Sequence, residues 1–174
     1  MRFNDKELRS VALGKTDKEG RLNHKIPGFI EGYKERWFRL KGNLLFYFRV
    51  NEFGAMIEKE PVGLLVIEQC KIQHETYSDL PFSFSITFCE DQEKKHIFLC
   101  STEKQCEDWV KILQEASYEH QRAKLLLIQA KLLRKTGKDP LEAFPNHRHH
   151  RFSASPFFRQ KSLSKTSSSA VFFQ

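Results

Sequence analysis

Two lysines and an arginine are the side chains best spaced to act together in this 174-residue chain. Lys34 and Arg36 lie in the run Lys34-Glu35-Arg36-Trp37-Phe38-Arg39-Leu40. On an extended strand they share one face with Phe38 and Leu40. If Phe38 and Leu40 enter a core, the two cations stand at its mouth, where the inward face meets solvent. Lys25, at the end of the preceding strand, comes alongside them across a hairpin. Cations converging on so small a volume suit a compact polyanion. Arg36 can grip a phosphate through two parallel hydrogen bonds, while the lysines act as mobile point charges.

The distribution of charge agrees with that reading. Net charge is +7. Between Gly20 and Arg49, seven basic residues face only Glu31 and Glu35. From Pro145 to Gln174 there are five basic residues and no acid, which leaves only +2 for everything before Pro145. Basic patches of this kind attract nucleic acid or an anionic membrane, and charge alone does not choose between them.

The elements that must position these cations are short strands. From Gly20 onward, runs rich in aromatic and β-branched residues alternate with turn residues, predicting strands over 20–26, 33–41, 43–50, 62–68, 70–77, 82–89 and 95–100. Lys41-Gly42-Asn43 is the clearest hairpin turn. This many short strands argue for a mainly β, antiparallel sandwich or partly open barrel. The period then changes. Ser101-Thr102-Glu103-Lys104 is a helix start, and Trp109, Ile112 or Leu113, and Ala116 form an apolar stripe. With no Gly or Pro before Gly137, a single long C-terminal helix is expected to cap the barrel and run on to a stop at Gly137 and Pro140. Its second half, Ala123 to Leu133, is more apolar than a solvated helix should be, so it either packs back on the domain or is a self-association surface.

The expected organisation is an N-terminal segment over 1–17, a β domain over 18–120, a helical extension over 121–144 and a disordered basic Ser/His-rich tail over 145–174. In that tail Arg148-x-x-Arg151-x-Ser153 and Arg159-x-x-Ser162 have the look of basophilic kinase sites, where phosphorylation would cancel positive charge.

Seven strands followed by a helix with a central Trp resemble the pleckstrin homology (PH) fold. Lys34-Glu35-Arg36-Trp37-Phe38-Arg39-Leu40 resembles its second strand, Leu45-Phe46-Tyr47-Phe48 its third, Glu60-Pro61-Val62-Gly63 the entry to its fourth, and Trp109 its helix Trp. Gly42 to Phe48, Glu60 to Gly63, Cys70 and Trp109 to Ser117 also resemble the sesquipedalian group of endosomal PH proteins and the PH-domain-containing family J. Thr136-Gly137-Lys138-Asp139-Pro140-Leu141-Glu142 resembles family J in particular. The resemblance implies a phosphoinositide-binding module without catalysis or cofactor, peripheral on the cytosolic face of membranes, with early or recycling endosomes as the expected address, and linked to trafficking. It implies head-group ligands at Lys25, Lys34 and Arg36, whose spacing Lys25-x8-Lys34-x-Arg36 is similar to the basic signature of the family, and at Tyr47. Val62 departs from the Glu-Pro-x-Gly pattern of tight readers, which carry a base there, so modest affinity and broad preference are expected. Ile26, Phe29 and Ile30 offer apolar loop tips for shallow membrane insertion. Sesquipedalians recruit an inositol 5-phosphatase through a C-terminal Phe-and-His helix, but Pro145 would break such a helix here, and that partner is not carried over.

Other classes fit less well. No Ser/His/Asp or Cys/His arrangement stands on defined elements, and no glycine-rich phosphate loop precedes a helix, so an enzyme is not expected. No aromatic residues interleave with the basic ones on an exposed sheet, which argues against nucleic acid. No metal is expected at His147, His149 and His150, which lack a preorganised site. Cys70, Cys89, Cys100 and Cys106 lack metal-ligand spacing and are expected to be reduced, mostly buried thiols of a cytosolic protein. Neither a signal peptide nor a membrane-spanning run is visible. The competing class is a protein-interaction adaptor in which the long helix is the working part.

Overall fold

A computed structural model describes residues 4–28, 32–57, 60–77, 80–142 and 170–172. The chain divides into two compact units, one of residues 1–120 with 167–174 and one of residues 121–166.

In the first unit, seven antiparallel strands follow one another: β1 (Lys18–Lys25), β2 (Lys34–Lys41), β3 (Leu44–Phe48), β4 (Gly63–Val66), β5 (Cys70–Tyr77), β6 (Leu80–Phe88) and β7 (Lys95–Leu99). All lie within two residues of the expected bounds. They form one sheet in the order β5-β6-β7-β1-β2-β3-β4, with a short eighth strand, β8 (Ala170–Phe172), added beside β4. The tail expected to be disordered over 145–174 therefore contains an ordered strand at its end; the rest of it lies outside the described residues.

The sheet curls around Leu22, Phe38, Leu40, Leu45, Tyr47, Leu65, Phe84, Ile86 and Phe98, which with α2 residues make the main core. Gly42 supplies the left-handed φ of 57° that the β2–β3 turn needs, and Asp17 fixes that turn by accepting from Gly42 N (2.7 Å) and Lys41 Nζ (3.2 Å).

One end of the barrel is closed by α2 (Glu103–Ala116), which buries Cys106, Trp109, Val110 and Leu113. Thr102 is its N-cap, with Oγ1 accepting from Gln105 N at 3.1 Å. The indole of Trp109 lies fully buried beside Gly20, with Lys18 Nζ 5.3 Å above the ring.

The helix does not run on unbroken. Ser117 leaves helical geometry at ψ 143°, and α3 (Tyr118–Thr136) begins after it. Local bonds explain the break. Ser117 Oγ accepts from His120 N and so caps α3, while Tyr118 N donates to Ile67 O (3.0 Å) and Glu119 accepts from Gln69 N (2.8 Å). These bonds to the β4–β5 corner cannot be made by a continuous helix. Within α3 no residue is buried, and it ends at Gly137, with φ 69° and its N–H donating to Leu133 O.

The N-terminal segment forms a helix of its own. Helix α1 (Asp5–Leu13) is capped by Asn4 and buries Leu8 and Ala12 against Phe46, Phe48 and Leu64 on the outer side of the sheet. Arg39 ties its end down by donating to Ala12 O (2.8 Å), Gly14 O (3.0 Å) and Glu19 (2.9 Å).

Candidate functional site

At the end of the barrel away from Trp109, β1 and β2 diverge into the loop that joins them. Register pairs Gly20 with Phe38, Leu22 with Arg36 and His24 with Lys34. Alternation along β2 sends Phe38 and Leu40 into the core, both fully buried, and puts Lys34 and Arg36 on the same face nearer solvent. Lys34 is exposed and Arg36 half-buried, as a mouth requires. Arg36 Nη1 donates to Glu35 O at 3.0 Å.

The same alternation along β1 buries Leu22 and His24, so Lys25 belongs to the opposite face. Its Nζ sits 5.9 Å over the ring of Tyr33, which has outer-face parity on β2's approach. The expected convergence of Lys25 with Lys34 and Arg36 is thus replaced by His24 beside them. Sequence reasoning missed His24, although Leu22, two residues before it, carried the parity.

His24 is the centre of the floor under the cations. It stacks on Phe98 with centroids 4.5 Å apart and meets Phe38 and Tyr47 edge-on at 5.5 and 5.7 Å. Its Nε2 is 3.1 Å from Nδ1 of His96, and its own Nδ1 is buried without a hydrogen-bond partner among the described residues. Burial, then His96, then the charge of Arg36 hold the His24 imidazole well below its ordinary pKa. Burial alone takes His96 down to about 4. Both are therefore neutral at pH 7.

Tyr47 is buried, on β3 opposite Phe38 and Gly63. Burial pushes its phenol up to about 12, with Arg36 pulling in the other direction. The ring occupies the space that a Cβ on Gly63 would need, which explains why glycine follows Pro61-Val62. Tyr47 is thus a floor residue that keeps its proton. Val62 is half-buried, packs against the main core, and donates its N–H to Tyr47 O at 2.8 Å. Ile26 is half-buried; Phe29 and Ile30 lie outside the described residues.

The arrangement can hold an anion. Cys106 is buried, Cys70 and Cys100 half-buried and Cys89 exposed, so fewer thiols are buried than expected. Burial pushes the Cys70 thiol up to about 12 and the Cys100 thiol higher still. Among the described residues no group of three His, Cys, Asp or Glu could hold a metal ion. An open cleft elsewhere, lined by Arg21, Asn23, Glu35, Trp37, Thr102 and Gln105, is on the outer face of β1 and β2, and Gln105 Nε2 already donates to Arg21 O there. No described helix is long and apolar enough to cross a membrane.

A curled antiparallel sheet with a helix across one end and cations at the other defines the PH class. Residues 16–118 match the PH domain family, and the chain belongs to it. It is similar along most of its length to pleckstrin homology domain-containing family J member 1. The match to the Bos taurus protein is 39 % identical over 155 residues, covering 89 % of this chain and 97 % of the relative. Sesquipedalian-1 of Homo sapiens is 32 % identical over 124 residues, covering 70 % of this chain and 47 % of that one. Among solved structures, the PH domain of ArhGAP27 superposes with a TM-score of 0.50 at 12 % identity, over 58 % of this chain and 99 % of that one, a likeness of fold.

Proposed function

We propose that this chain is a non-catalytic phosphoinositide-binding module that attaches reversibly to the cytosolic face of membranes and serves membrane trafficking. The observation that carries the reading is the inward face of β2, where Lys34 and Arg36 precede the buried Phe38 and Leu40 and stand over His24 and Tyr47. A head group there meets two cations against a dry aromatic floor, where electrostatic attraction is less screened than at an open surface. Lys25, on the other face of β1, adds long-range attraction. Val62 contributes no donor, so affinity is modest and preference among phosphoinositides broad. Weak binding of this kind needs a second contribution, which the loop after Ile26 and the basic tail supply at about 1 kcal/mol per Lys or Arg near an anionic surface. Early or recycling endosomes are the address that the resemblance to family J and the sesquipedalians supports.

The test is co-sedimentation with liposomes carrying single phosphoinositides at physiological salt, comparing wild type with a Lys34→Ala, Arg36→Ala variant. Selective binding that disappears in the variant supports the reading. No binding, or binding that follows total negative charge equally in both proteins, overturns it.

A second reading rests on α3. Leu125, Leu126, Leu127, Ile128, Leu132 and Leu133 are all exposed on a helix with no buried residue. Such a surface suits a protein partner or a second copy, which would make the chain an adaptor. Deleting residues 121–136 would then lower the mass seen by light scattering, or abolish partner capture, while leaving liposome binding intact.

A further inference from the structure

The edge of the sheet at β4 is occupied by the chain's own far end, and the backbone geometry shows which groups make the junction. Ile67 N donates to Asn43 O at 2.7 Å, and the β3–β4 register pairs Leu45 with Leu65 and Tyr47 with Gly63. Hydrogen-bonded pairs alternate along an antiparallel ladder, so the odd-numbered residues of β4 bond to β3. The backbone N–H and C=O of Leu64 and Val66 therefore point to the opposite side, which is where β8 lies. Leu64 pairs with Val171, and Val171 is the residue that exchanges both main-chain bonds with it.

Two features make this junction a cap that can be exchanged. Among the described residues three pairs form, Gly63 with Phe172, Leu64 with Val171 and Leu65 with Ala170, a short ladder. Because β8 belongs to the same chain as β4, it meets that edge at a high effective concentration. Without β8, β4 would present a row of open donors and acceptors, the template on which extended segments add as a further strand. Neither Gly63-Leu64-Leu65-Val66 nor Ala170-Val171-Phe172-Phe173 contains a charge, which selects an apolar segment over the basic and Ser-rich sequence that precedes β8.

We propose that the β4 edge is a strand-acceptor site for an extended apolar peptide, kept closed in cis by residues 170–172 of the same chain. The site is independent of the cationic mouth and does not rest on lipid binding.

The full chain carrying Val171→Pro tests it, because proline removes the N–H that faces Leu64. Amide exchange at Leu64 is expected to be at least tenfold faster in the variant than in wild type. A dye-labelled peptide of residues 165–174 is expected to bind the variant by fluorescence anisotropy and to bind wild type at least tenfold more weakly, since the cis segment competes. The same peptide with proline at the Val171 position should bind neither. Equal Leu64 exchange in the two proteins overturns the cap. Faster exchange without peptide binding overturns the acceptor. A variant that dimerises and is not dissociated by the peptide gives the edge to a second copy and overturns the peptide assignment.

Discussion

The two ends of the barrel use the same ingredients to opposite effect. At the closed end Lys18 stands 5.3 Å over Trp109 and 3.9 Å from Asp108, above a fully buried indole. At the open end Lys25 stands 5.9 Å over Tyr33, and Lys34 and Arg36 crown an aromatic floor. The difference is a helix. Where α2 lies across the strands, the cation decorates a sealed core; at the other end, where residues 29–31 lie outside the described residues, the cations stand near the buried rings of His24 and Tyr47. The closed end contributes stability; the other is the end proposed for head-group binding.

The contrast breaks most visibly at Trp109. Replacing it with Ala removes the largest buried side chain of the closed end and is expected to cost about 3–5 kcal/mol, read as a lower urea midpoint at unchanged slope. A loss under about 1 kcal/mol would mean that α2 does not close the barrel.

Next comes acid. His24 and His96 have folded pKa values below the unfolded value of 6.5. The unfolded chain therefore takes up protons first as pH falls. Stability from this pair is complete above pH 6.5 and is lost as pH falls from 6.5 towards 4, the value for His96. For His96 alone the loss is on the order of 3 kcal/mol. Melting temperature followed from pH 7.5 to 4.5 should fall, and less steeply in His96→Gln; parallel profiles would remove the pair as the cause.

At the open end, Lys34→Ala with Arg36→Ala should weaken liposome binding about tenfold or more, the worth of one or two charge-assisted bonds, while the urea midpoint hardly moves. A large stability loss instead would make these residues part of the fold's support. The smallest effect is expected at Lys18→Met, about 0.5–1 kcal/mol from the lost cation–π contact, with no change in liposome binding.

Much of this was legible in the chain. Seven strands, the Gly42 turn, the Thr102 cap and the Trp109 stripe are local signals, and each formed where local chemistry put it. The mouth was half legible. Lys34 and Arg36 follow from alternation with Phe38 and Leu40, but Lys25 was placed by spacing, and spacing does not carry parity across a loop. Counting from Leu22 would have put His24 inward. The break at Ser117 was illegible because its cause, the bonds to Ile67 and Gln69, is distant in sequence. The docking of α1 left a trace that went unread: Leu45, Phe46, Tyr47 and Phe48 do not alternate in polarity, which means both faces of β3 are covered. Three residues of β8 inside a Ser-rich tail give no periodicity to detect.

That covering of β3 bears on where the domain begins. The family match starts at residue 16, yet Leu8 and Ala12 lie over Phe46, Phe48 and Leu64, and Arg39 spends two donors on the carbonyls of Ala12 and Gly14. A fragment started at residue 16 would put two phenylalanines and a leucine in water on one patch and strand a half-buried guanidinium. Such a fragment should aggregate when the longer chain does not. The buried core thus reaches beyond the matched residues, and α1 is part of the packing that covers the sheet.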